Sequence, residues 1–454
     1  MIECIVNHSF QAWKGLIFIE SRVNRSRISL LVNEFQRLRE STLARNAGWM
    51  LLGQGLSIVF QGIYFILLGR LLGSTQYGIY AGVVATVALV SQYSPLGSQL
   101  VFLRHVSSDH RKFSGYWGNI LVTTLSLGSI FVLLLFWIGP HVARSYSHGI
   151  LIFVAISDCL FVQLTGSVGV IFQTFERMRI TASVNLLINF LRVLLAGWLL
   201  WHLHHASAQE WVVAAFMISG LATATAVVLV TRNYGKPMFS AELLTQRTGE
   251  GLVFALSSST SNIYDNVDKA MLGHYGMNLA DGIYTMAYRA VDVCMICIIA
   301  IHSAAYPRFF RKGTEGASNT CSYAVRIVKR TAPLGLGLSA LLWLCAPIIP
   351  YLVGKSFGES ILALRWLCLL PFFRSFQWSA GDALTGAGHQ NARLRNQALA
   401  AVLNFGENLY LIPHYGWRGA AWSSLATDAM IAALNWIVLL RLQTKDIKEP
   451  SSSD

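Results

Sequence analysis

Twelve ionisable side chains stand inside stretches that are otherwise apolar: Asp158, Arg192, Asp265, Asp268, Lys269, Arg289, Asp292, Arg365, Arg374, Asp382, Glu407 and Asp428. Two kinds of chemistry are open to such a set. A guanidinium offers a planar fork of donors that matches phosphate oxygens and keeps its charge out of water, so Arg192, Arg289, Arg365 and Arg374 are candidates for holding a phosphorylated head group. A carboxyl removed from water readily takes up a proton or a cation, so Asp158, Asp265, Asp268, Asp292, Glu407 and Asp428 are candidates for ion coupling, or for balancing those arginines. Spacing groups some of them. Ser258, Ser261, Asp265 and Asp268 recur along one helical stripe, and Arg289 and Asp292 share a face at i, i+3. The competing reading of each arginine is an internal ion pair that only fixes helix packing, and Arg365 could instead snorkel to an interface.

Bond-breaking chemistry finds no support. No nucleotide-binding fingerprint, Walker motif or metal-ligand cluster is present, so neither metal nor cofactor is expected. Cys294 and Cys297 have redox-pair spacing but fall within an apolar helix with no βαβ pattern around them, which favours packing. His202, His204 and His205 follow Trp201 without acidic or cysteine company, and read as an interfacial loop.

The elements that carry these groups follow from composition. With 54% hydrophobic and 13% charged residues and a mean hydropathy of +0.50, the 454-residue chain lies outside the soluble globular range. Twelve windows are long enough to cross a hydrocarbon core about 30 Å thick: 48–69, 77–98, 116–139, 149–172, 180–201, 210–230, 250–272, 282–306, 331–353, 360–385, 396–413 and 418–440. The polar run SSSTSNIYDNVDK within 250–272 is compatible with a span that faces protein. No period-2 alternation supports a barrel. Each charge in a span costs about 2.5–3.5 kcal/mol at a helix centre, so the twelve must face an interior or a wet cavity. With the N-terminus inside, inner segments hold 26 Lys plus Arg and outer loops four, Arg70, Arg144, Lys355 and Arg418. That asymmetry accounts for the net charge of +13 without nucleic acid and predicts cytoplasmic termini.

Residues 1–47 lack a signal-peptide core. Ile28, Leu31, Val32, Phe35 and Leu38 share a face flanked by Arg25, Arg27, Arg37 and Arg39, as in a basic amphipathic segment on an inner membrane surface. A repeat organises the remainder. Gly73 aligns with Gly273, Gly78-Ile79-Tyr80 with Gly282-Ile283-Tyr284, and Leu187-Ile188-Asn189-Phe190 with Val402-Leu403-Asn404-Phe405, at offsets near 200 to 215. The order predicts two parallel six-helix lobes, 48–230 and 250–440, joined by a linker at 231–249 and followed by a tail at 441–454. The glycines would serve tight turns between spans. Pro95 and Pro371 mark kinks.

Ala44-Arg45-Asn46 before the first span, then Gly69-Arg70-Leu71-Leu72-Gly73 with Tyr77-Gly78-Ile79-Tyr80, resembles the opening of bacterial polysaccharide flippases of the Wzx type. The run Asn408-Leu409-Tyr410-Leu411-Ile412-Pro413-His414-Tyr415-Gly416-Trp417-Arg418-Gly419-Ala420-Ala421-Trp422 is similar to their last two spans. The likeness covers roughly residues 44 to 440, and it belongs to the superfamily that also holds multidrug exporters. It implies an all-α membrane protein with a MATE-like pair of lobes around a central cavity. The implied activity is turning an undecaprenyl-diphosphate-linked oligosaccharide, an O-antigen or exopolysaccharide repeat unit, across the bacterial inner membrane. H+ or Na+ could serve as the coupling ion, and polysaccharide polymerase machinery as a partner. The alternatives are a multidrug or cation antiporter of the same superfamily and a membrane-embedded polymerase. Gly48 to Gly69 carries no acid for a cationic substrate, and no sizeable outer loop bears catalytic groups for a polymerase.

Overall fold

The computed structural model describes residues 42–142 and 146–448, and every regular element among them is helical. The amphipathic segment expected before residue 41 and the end of the tail lie outside the described residues. The first lobe runs α1 (Thr42–Ser91), α2 (Ser98–Val106), α3 (Phe113–Val142), α4 (His148–Ile156), α5 (Gln163–Thr174), α6 (Met178–Leu203) and α7 (Ala208–Tyr234). The second runs α8 (Ala241–His274), α9 (Asn278–Gly313), α10 (Ala317–Cys345), α11 (Ile348–Val353), α12 (Ser360–Leu367), α13 (Leu370–Gly386), α14 (Gln390–Tyr415) and α15 (Trp417–Lys448).

Six traverses per lobe result once the interruptions are placed. Gly73 splits α1 into two traverses, because its φ of 67° and ψ of 171° leave the helix in a region where a side chain would be strained. The second of these breaks again between Ser91 and Ser98, where Pro95, Leu96 (φ 45°) and Gly97 (φ 69°) lie, and continues as α2. A π turn at Ser157–Val162 joins α4 to α5, and the tenth traverse is α12 and α13, with Pro371 at the restart. Both expected kinks therefore sit at real breaks, since proline cannot donate to the preceding turn. Among the described residues eight helices are long and apolar enough, by length and composition, to cross a membrane by themselves. Others, such as α8 and the 17-residue α13, carry polar groups or are short, and they are carried by neighbours rather than by lipid.

Three apolar cores show how the lobes meet. One, with Leu68, Leu71, Tyr77, Ile150, Trp211, Tyr284, Phe357 and Trp417, takes residues from both lobes. It lies at the end of the bundle that carries the turns at Gly73, Gly276, Gly354 and Gly416, here called the upper end. The other two belong to separate lobes at the lower end: Phe102, Trp117 and Phe172 in the first, Phe309, Ala380 and Leu439 in the second. The lobes share one core above and have separate cores below, where Leu243 and Phe254 of α8 pack against that of the first lobe.

The upper seam is where the sequence repeat meets itself. A Cβ on Gly78 would overlap the Asn278 carbonyl oxygen, and one on Gly282 would overlap the Ser74 carbonyl oxygen. Each glycine thus packs against the residue four before its counterpart, a reciprocal contact of the kind a pseudo-twofold axis produces. The expected role of these glycines in turns is corrected: Gly78, Gly282 and Gly273 are helical, and they are small because backbone or the Tyr146 hydroxyl fills the place of a side chain. Gly276 (φ 74°) makes the turn that was assigned to Gly273. Around this point the Ser74 N–H donates to Ser356 Oγ at 3.3 Å, Arg70 donates to the Leu352 carbonyl, and the Tyr77 ring meets Phe357 edge-on.

Replacing Gly78 by Val should block this closure. Overpacking a helix contact costs about 1–3 kcal/mol, enough to cut the closed population roughly tenfold. Cysteines placed at Ser74 and Ser356 in a cysteine-free background, joined by a short thiol cross-linker, will report it: yield should drop by about that factor in Gly78→Val.

Candidate functional site

The intramembrane charged groups divide into a paired set in the second lobe and, in the first, Arg192, without an ion pair among the described residues. On α13, Arg374 is 8% exposed. Its Nε donates to Asp428 Oδ2 at 3.0 Å, and one terminal nitrogen donates to Asp265 Oδ1 at 2.9 Å and to the Tyr288 hydroxyl. Four helices, α8, α9, α13 and α15, are tied through one guanidinium whose charge is met by two carboxylates. Beside it, Asp268 accepts from Tyr284, from Ser424 at 3.1 Å and from the Lys269 N–H at 2.8 Å. Lys269 Nζ donates to the Asp265 carbonyl and lies 4.2 Å from the Tyr288 ring centre.

Arg289 and Asp292 on α9 pair at 3.4 Å as their spacing predicts. Their side chains are 38% and 41% exposed, and Arg289 stacks on Phe65 of the first lobe, so this pair borders the interlobe space. Arg365 is elsewhere: on α12 it packs over the Trp343 ring at 4.7 Å. Glu407 on α14 is half-buried and has no hydrogen-bonded partner among the described residues. The side chains of Ser258 and Ser261 lie outside the described residues.

The first lobe contains the contrasting arrangement. A cavity of about 570 Å³ opens between the first part of α1, α4–α5, α6 and α7. Ser57, Thr165, Gln173, Thr181, Asn189, Arg192 and Thr223 line it together with Gly53, Gly166 and Gly169. Asn189 donates to Ser57, and Thr165 shares a hydrogen bond of 2.9 Å with Thr223. Among the described residues Arg192 makes no ion pair or hydrogen bond. Asp158 occupies the π turn of the same lobe, where the extra residue per turn displaces its side chain from helical register. Asn189 and Asn404, aligned by the repeat, both bond across helices, although to unequal partners: Asn189 to α1, and Asn404 to Ser423 and Thr427 of α15.

Sequence reasoning missed a third cluster. His302 Nδ1 lies 2.9 Å from Asp382 Oδ2, and Arg393 holds the other carboxyl oxygen at 3.4 Å. The cue was a histidine inside an apolar span, with Asp382 already among the intramembrane charges.

With this geometry in view, the comparisons are informative. A family model described as "Polysaccharide biosynthesis protein" matches residues 43–312. A MATE multidrug-resistance transporter of the MOP superfamily in an inward-facing conformation superposes with a TM-score of 0.73, over 87% of this chain and 96% of its own, at 16% identity. Such a transporter in an outward-facing conformation gives 0.55, over 91% and 98%, at 16% identity. A MOP-superfamily transporter from Pyrococcus furiosus gives 0.57, over 90% and 96%, again at 16% identity. No curated protein matches in sequence. At such identities the likeness is one of fold, and it is a MATE-like fold.

Removing one member of the Arg374 network should destabilise the second lobe. Asp428→Asn leaves the guanidinium short of a carboxylate and should cost about 3–5 kcal/mol, while Arg374→Gln combined with Asp428→Asn should recover part of the loss. Thermal unfolding of the purified protein in detergent, read as a double-mutant cycle, measures it.

Proposed function

The chain belongs to the polysaccharide biosynthesis protein family, and from that premise we propose that it flips an undecaprenyl-diphosphate-linked oligosaccharide between membrane leaflets by alternating access. Its MATE-like fold with multiple membrane-spanning helices is that of a multi-pass membrane transporter. The carrying observation is Arg192. Of the four candidate arginines, Arg374 is already met by two carboxylates, Arg289 by one, and Arg365 packs on Trp343. Arg192 alone among these four combines an unengaged donor fork with a place on the wall of a cavity, whose lining mixes apolar residues such as Phe161, Val170 and Ile188 with the hydroxyls and amides of Ser57, Thr165, Gln173 and Asn189. Such a surface suits a diphosphate with sugar hydroxyls beside it, and about 570 Å³ is within the usual size of a small-molecule site.

The direction of transport follows from charge and closure. The end that is parted carries most of the 26 basic residues assigned to the inner side, and the sealed end carries few. In this reading the termini are cytoplasmic, the membrane is the bacterial inner membrane, and the conformation is the one that loads cargo from the cytoplasmic leaflet. The higher similarity to the inward-facing relative supports the same reading. Release then requires the seam at Gly78 and Gly282 to open and the lower halves to meet. H+ or Na+ is the proposed coupling ion, with acids such as Asp158 available for it. The diphosphate head group would be fixed by Arg192, and the paired arginines would hold the second lobe in shape.

Export should therefore depend on Arg192 in particular. Losing a charge-assisted contact costs about 1.5–3 kcal/mol, so Arg192→Ala should cut surface polysaccharide roughly tenfold or more while the protein still inserts. Lipid-linked precursor should build up in the same cells. Normal surface glycan in Arg192→Ala would overturn the assignment, and deletion of the chain with no loss of any surface glycan would overturn the cargo.

A further inference from the structure

The upper seam buries a carboxyl with no counter-charge. Asp281, in the first turn of α9, has no exposed surface. Its Oδ1 accepts from the Thr285 hydroxyl at 3.0 Å, and its Oδ2 has no hydrogen-bond partner. Among the described residues no Lys, Arg or His nitrogen comes within ion-pair distance of it, and no backbone N–H donates to it. The Tyr146 hydroxyl, brought by the first lobe just ahead of α4, is likewise buried and unpartnered. Both atoms lie in the space that a Cβ on Gly82 would fill, and the same hydroxyl fills the place of a Cβ on Gly273. A carboxyl of one lobe and a phenol of the other are thus pressed together only because the seam is shut.

The groups around Asp281 do not neutralise a carboxylate. Tyr146, and Tyr77 of α1, are phenols. From α8 come Asp268, a like charge, and Lys269, whose ammonium is engaged by the Asp265 carbonyl, by Asp268 Oδ1 at 4.0 Å and by the face of Tyr288. The helix N-terminus offers a fractional positive charge, which falls short of the hydration that an ionised carboxyl gives up when enclosed on every side. When the seam opens, the same group meets water.

We propose that Asp281 is a proton-binding site of the upper gate: the seam shuts with Asp281 as the neutral acid, taking one proton from the water on the upper side and returning it there on opening. The group that binds is a proton rather than a metal cation, because two oxygens wedged against a glycine leave no coordination sphere. The sign follows from linkage. The shut state holds one more proton than the open state once the pH exceeds the ordinary carboxyl range, so acid favours closure, and the ratio of shut to open falls up to about tenfold per pH unit. Acid on the upper side would then reset the transporter to its loading conformation. This rests on alternation between two states and is independent of the cargo.

Nitroxide labels at Trp201 and Tyr351, both exposed at the upper end and one in each lobe, report the opening of the seam by pulsed electron spin resonance on the full chain in a cysteine-free background. Between about pH 5 and about pH 9 the shut population should decline with the one-proton slope, and Asp281→Asn should stay shut with no slope. Asp281→Leu, a second uncharged variant of similar bulk, gives the same reading should the asparagine fail to fold. A flat profile in the unsubstituted protein, an unchanged slope in either variant, or closure driven by Na+ at fixed pH would each overturn the proposal. Because no glycan enters the measurement, its failure is separate from failure of the flippase reading.

Discussion

A charge in a bilayer must be paired, hydrated or discharged, and the architecture of this protein follows from how it meets that demand. The twelve intramembrane groups would be untenable against acyl chains. The second lobe meets the demand by pairing, with Arg374 joining Asp265 and Asp428 across three neighbouring helices. In the first lobe Arg192 stands on the wall of a roomy cavity, within electrostatic reach of Asp158. The two lobes share helix order, yet they differ in electrostatic character: the second is cross-linked by ion pairs, and the first leaves its arginine beside a cavity.

Much of the fold was legible from residues alone because the bilayer restricts the choices. Span length, the basic asymmetry and the repeat yield twelve traverses in two lobes, and the lack of period-2 alternation excludes barrels. The pairing of Arg289 with Asp292 was legible as well, since i, i+3 spacing on a helix fixes proximity. Arg374 with Asp265 and Asp428 was not, because those residues are 109 and 54 positions apart and only helix packing brings them together. The π turn at Asp158 was hidden for another reason: it inserts no proline or glycine at that point and leaves the apolar pattern intact.

The repeated glycines show how a correct signal can carry the wrong mechanism. Gly78 and Gly282 read naturally as turn formers, and Gly73 is one. Their value lies instead in what they lack. Two helices related by the repeat approach until carbonyl oxygens of each occupy the place of the other's side chain, a closeness that backbone alone permits. The reciprocal contact explains why both copies of the phrase matter to one surface. The intervening Tyr146 extends that surface to Gly82 and Gly273.

The helix α8 belongs to both bodies. Its first turns are fastened to the first lobe, where Arg104 and His105 meet Glu250, Gly251 abuts Leu96 and Phe254 joins the lower core. Its last turns are fastened to the second through Asp265 and Asp268. Between these anchorages the backbone of α8 runs on as one helix. One unbroken helix from Ala241 to His274 is thus a mechanical tie between the two lobes, gripped by a different one at each end.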